Sequence, residues 1–124
     1  MSDKGYVKLY RKLLEWEWYS DIKVTRLFIH LLLLVNHRDN KWRGEVIERG
    51  SCITSYSSLS DQTGLTMQEI RTAFSKLEST REITRLKSGK NLMVTVLNYH
   101  RYQSEQHDNN TETTTYQQRI NNKQ

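Results

Sequence analysis

The chain has 124 residues, of which 35% are hydrophobic, and a net charge of +5. That length suits one domain. The longest uninterrupted apolar run, Leu31–Val35, falls far short of the roughly 20 residues that span a membrane as a helix, so a soluble protein without a membrane partner is expected. A single cysteine, Cys52, excludes an intrachain disulfide and points to a reducing, cytoplasmic setting, and residues 1–5 carry no signal-peptide pattern.

The charge is unevenly spread. Residues 1–65 hold ten Lys/Arg against eight Asp/Glu, residues 66–102 seven against three, and residues 103–124 two against three. The positive charge is densest in one segment of under forty residues, which is compatible with a polyanionic partner.

In chain order, Val7, Tyr10, Leu13 or Leu14 and Trp18 recur at helical spacing and predict a helix over residues 6–18. Ser20 and Asp21 offer caps for a second helix over residues 22–36. Its apolar side chains, among them Leu27, Leu31 and Leu34, cover nearly the whole circumference, which predicts either the centre of a core or a self-association surface. Residues 37–44 read as a polar loop, and residues 45–48 and 51–54 as a short hairpin about Arg49-Gly50. Ser58 to Asp61 and Thr66 to Glu69 both fit capping boxes, with Gly64 placed to stop a helix between them. Two capped helices about a glycine turn predict a helix-turn-helix. On the second of these helices Met67, Ile70, Ala73, Phe74 and Leu77 share one face. The other face carries Gln68, Arg71, Thr72, Ser75, Lys76 and Ser79, residue types that meet base edges and phosphates in a major groove. Residues 82–87 and 92–97 alternate about the turn 88–91, a hairpin that follows the helix directly and carries Arg85, Lys87 and Lys90. The expected fold is therefore mainly α with a small β-hairpin wing, a winged helix-turn-helix, over residues 1–103. Residues 104–124, rich in Asn, Thr and Gln, read as a flexible polar tail or linker.

Several stretches resemble the N-terminal domain of phage replisome organisers, the DnaD-like primosome proteins. They are residues 5–14 (GYVKLYRKLL), 42–44 (WRG), 49–55 (RGSCITS), 59–65 (LSDQTGL), 70–73 (IRTA), 77–84 (LESTREIT) and 96–103 (VLNYHRYQ). One departure is Arg81, where related chains usually show glycine. The resemblance implies a winged helix that binds origin DNA, often as an oligomer, in a bacterial host. In that family a C-terminal domain commonly engages the helicase-loading machinery, which this sequence does not include.

The expected DNA contacts are Thr66, Gln68, Arg71, Thr72, Ser75, Lys76, Arg85, Lys87, Lys90 and Asn91, with self-association through Leu27, Leu31 and Leu34. No triad, P-loop or phosphate cradle is present, so no catalysis and no cofactor are expected. His30 and His37 lie two helical turns apart, but no third ligand is evident and no metal is expected. Glu15, Glu17 and Asp21 read as a solvated acidic cluster, and Trp16, Trp18 and Trp42 as packing residues rather than base-stacking platforms. Replication initiation, transcriptional regulation by the same fold and a protein-interaction or oligomerisation module are the competing functions.

Overall fold

The computed structural model describes residues 5–103; the expected polar tail lies outside them. Helices α1 (Ile22–Leu34), α2 (Tyr56–Thr63), α3 (Met67–Ser79) and α4 (Tyr99–Gln103) combine with strands β1 (Asn40–Trp42), β2 (Glu45–Ile47), β3 (Ser51–Thr54), β4 (Ile83–Ser88) and β5 (Asn91–Val96). This is an α+β fold with two antiparallel sheets, β1-β2 and β3-β5-β4, and not the mainly α domain with a small β-hairpin wing that the sequence suggested.

The difference has two local causes. β3 does not fold back on β2. Gly50, at φ +87°, redirects the chain, and β3 pairs with β5 instead, Cys52 opposite Val94. The hairpin β4–β5 is thereby built into a three-stranded sheet. β2 takes its partner from the stretch read as a polar loop: β1 pairs with it about Arg43-Gly44, both at positive φ (52° and 81°) as a tight two-residue hairpin requires.

The expected first helix reduces to a 3-10 turn over Arg11–Glu15. Tertiary hydrogen bonds claim the residues before it. The Lys8 N–H donates to Oε1 of Gln103 at 2.8 Å, and Nε2 of Gln103 donates to the Lys8 carbonyl at 3.0 Å. This amide pairing uses the same backbone groups that a helix would need. Trp16 packs on Phe28 at 4.8 Å between ring centroids and donates to Glu82 at 3.0 Å, while Trp18 donates to Thr80 at 2.9 Å.

Asp21 caps α1 by accepting the Val24 N–H. Ser55, not Ser58, caps α2; the Ser58–Asp61 pair expected as a capping box lies within that helix. Gly64, at φ +84°, ends α2 as expected. Thr66 and Glu69 form the capping box of α3.

The core joins Val24, Leu27, Phe28 and Leu31 of α1 to Leu59, Ile70, Phe74 and Leu77 of α2 and α3 and to Ile83, Leu92, Val94 and Val96 of the sheet. Leu27 and Leu31 are 0% exposed and Leu34 is half-buried. The domain's own elements cover Leu27 and Leu31, which are not available to a partner, while Ile22 and Leu33 of the same helix stay exposed.

Arg81 sits at φ +62°. Its N–H donates to the Glu78 carbonyl at 3.0 Å and the Glu82 N–H to the Leu77 carbonyl at 2.9 Å, the paired bonds of a Schellman cap with Arg81 in the left-handed position. Arg81→Gly is expected to raise stability by about 0.5–1 kcal/mol, the relief of the left-handed cost exceeding the added chain entropy. Thermal melts read the shift; a lower midpoint would show that the arginine side chain contributes more than its backbone costs.

Candidate nucleic-acid interface

The interface is built on the face of α3 turned away from Ile70, Ala73, Phe74 and Leu77. The fixed 3.6-residue repeat leaves Gln68, Arg71, Thr72 and Ser75 exposed there, with no acidic side chain among them. Met67, expected on the buried face, is exposed instead, because it lies in the first turn, ahead of the core. Gln68 Nε2 donates to Thr72 Oγ1 at 3.4 Å. The Thr66 hydroxyl is occupied with capping, accepting the Glu69 N–H at 3.0 Å.

Lys76 departs from the expected arrangement. Its ammonium is 2.8 Å from Asp21 Oδ2 and 5.9 Å from the ring centre of Trp18. It lies at the seam with α1 and is not aimed outward. A second bond, Lys23 to Glu69 at 2.8 Å, closes the same seam at the other end of α3. The hydrogen bond from Lys76 holds the Asp21 carboxyl below its ordinary pKa, and that from Lys23 does the same for Glu69. Asp21 is thus a cap and an ion-pair partner, not a member of a solvated acidic cluster.

Arg85 is likewise a fastener. Nε donates to Glu78 Oε2 at 3.1 Å, Nη1 to the Tyr56 hydroxyl at 3.1 Å and Nη2 to Ser75 Oγ at 3.4 Å, with the guanidinium 5.0 Å from the Phe74 ring centre. These bonds fix the hairpin against α3. Strand alternation then puts Lys87 on the same face of β4 as Arg85, the face toward α3. Its ammonium folds back on the Gly89 carbonyl at 2.8 Å. Lys90 is exposed at the hairpin tip, and Asn91 is half-buried opposite Ser88.

Tyr56 is the participant that sequence reasoning missed. Its ring meets Phe74 edge-on at 6.2 Å, carries the Arg71 guanidinium 4.7 Å above it and accepts from Arg85. It therefore orients one exposed cation and anchors another. An aromatic one residue after an N-cap serine was its only signal.

Among the described residues, Arg71, Lys87 and Lys90 make no ion pair, whereas Lys76 and Arg85 do. His30 is half-buried and bonds Gln62 at 2.9 Å. Burial pushes the Cys52 thiol up to about 11, so it is not a poised nucleophile. No described helix is long and apolar enough to cross a membrane. No family model, curated protein or solved structure matches the chain.

Proposed function

We propose that this chain is a non-catalytic duplex DNA-binding module that presents α3 to the major groove and the β4–β5 tip to the flanking backbone. The observation that carries the reading is the exposed face Gln68, Arg71, Thr72 and Ser75, continued by Arg85, which neutralises Glu78 one turn beyond Ser75, into a hairpin bearing Lys87 and Lys90. α3 has 13 residues, about 20 Å of helix at the usual rise, enough to lie along a groove about 12 Å wide. The resemblance to replisome organisers favours replication initiation in a phage or prophage as the setting. Three cations outside any ion pair among the described residues predict a moderate salt dependence, with log K falling against log salt at a slope of about −3. A titration on random and phage duplex DNA measures it. Absence of binding at low salt would sink the reading.

A second reading, self-association, is favoured by a different surface from the one first expected. Tyr6 (85% exposed), Leu9 (50%) and Leu14 (62%) face outward along the N-terminal segment, an apolar strip of the kind that marks interaction sites. Light scattering at high micromolar concentration is expected to show a mass above the 14.8 kDa monomer; a clean monomer excludes it.

A further inference from the structure

We propose that the cavity between the N-terminal segment and α4 binds an oxyanion carried on an apolar body, with Arg49 as its anchor. The cavity encloses about 440 Å³, within the range of small-molecule sites. Leu32 and Val35 supply an apolar floor, Tyr6 and Tyr99 contribute aromatic side chains, and His37 and Arg49 bring donors. No aspartate or glutamate lines it.

Arg49 sets this cavity apart. Lys23, Lys76 and Arg85 are paired with Glu69, Asp21 and Glu78, and Arg26, which has no carboxylate, donates instead from Nε and Nη2 to the Thr63 and Gln62 carbonyls. Arg49 has no carboxylate among the described residues. Its Nη1 lies 2.9 Å from His100 Nδ1. That contact brings no carboxylate to the guanidinium, which is a donor only. The guanidinium lies 5.4 Å from the Tyr99 ring centre, again without a charge opposite. Nε is buried and has no hydrogen-bond partner. Asp39 is bonded to the Arg49 backbone N–H at 2.9 Å. A partly desolvated cation without a carboxylate beside it is costly, and an anion in the adjoining cavity offsets that cost. The planar fork of arginine suits a carboxylate or a phosphate monoester, and the apolar floor and tyrosines suit the body that carries it. This site uses neither α3 nor the β4–β5 hairpin, so it stands apart from the DNA reading.

The test is a titration of the full chain with inorganic phosphate, AMP, benzoate and, as the uncharged control, adenosine. The side-chain Nε–H resonance of Arg49 is followed by NMR. AMP or benzoate is expected to saturate below about 1 mM and to shift that resonance. Phosphate alone binds more weakly, and adenosine leaves the resonance in place. Whichever of AMP and benzoate binds tighter identifies the head group as phosphate or carboxylate. Arg49→Lys, which keeps the charge and loses the fork, is expected to weaken binding about tenfold. Saturation by adenosine at the same concentration, no saturation by any anion, or unchanged affinity in a folded Arg49→Lys protein overturns the proposal. Should that variant fail to fold, the Arg49 resonance of the unaltered protein decides alone.

Discussion

Gly50→Ala is expected to destabilise the domain by about 2–4 kcal/mol, combining left-handed backbone strain with overpacking. Gly50 holds φ +87°, and a Cβ there would lie 2.9 Å from Tyr99 Cβ and 3.3 Å from its Cγ. Neither neighbour yields easily. Tyr99 is buried at 4% exposure, and the Gly50 backbone is pinned on both sides. Its N–H donates to the Asn36 carbonyl at 2.7 Å, and its carbonyl accepts the Val96 N–H at 2.8 Å. Those two bonds tie the end of α1 to the three-stranded sheet, so relieving the clash means loosening that junction. For a domain of this size the loss corresponds to a fall in melting temperature of about 10–20 °C. A midpoint within about 3 °C of the unaltered protein would mean that Tyr99 does not close over Gly50.

The same residue explains where the sequence was and was not legible. Local chemistry carried its message well. Thr66, Glu69 and Gly64 bracket helices where their capping preferences place them, and the alternation of residues 82–97 gives the β4–β5 hairpin with its turn at Gly89. Pairing between distant segments left no local trace. β3 joins β5 across some forty residues of chain, and three- and four-residue strands do not say which partner they take. The N-terminal segment shows helical periodicity, yet Gln103, from the far end of the domain, takes both the N–H and the carbonyl of Lys8. α1 misled for a related reason. Most of its apolar circumference needs cover, and the sequence does not reveal that α2, α3, the sheet and the N-terminal segment supply it together while Ile22 and Leu33 stay exposed. For the DNA-facing side chains, composition identified the cations but not their partners. Asp21 is 55 residues from Lys76 and Tyr56 is 29 from Arg85, separations at which no spacing rule operates. The three lysines and two arginines expected to meet DNA therefore looked equivalent in sequence, while the fold divides them into Lys76 and Arg85, held in ion pairs, and Arg71, Lys87 and Lys90, outside any ion pair among the described residues.

That division sets the largest functional effect. Neutralising Arg71, Lys87 and Lys90 together is expected to lower duplex affinity by about 10²–10³-fold, from losses of about 1–3 kcal/mol for each base or phosphate contact with some overlap among them. It should also flatten the salt slope from about −3 toward zero. The three side chains are exposed and outside every ion pair among the described residues. The fold loses the contact of Arg71 with Tyr56, worth about 0.5–1 kcal/mol at an exposed site, and the exposed bond from Lys87 to the Gly89 carbonyl, so the circular dichroism spectrum should not change. Lys76→Ala behaves differently. It breaks the bond to Asp21 and leaves the outer face of α3 intact, so it should reduce stability more than affinity. The decisive control removes the same charge elsewhere, through alanine at Arg11, Lys12 and Arg38, which are exposed and lie outside α3 and the β4–β5 hairpin. If affinity follows position, the control binds within a few-fold of the unaltered chain and the α3 variant does not. An equal loss in both would assign the binding to net charge alone and remove α3 and the hairpin tip from the interface.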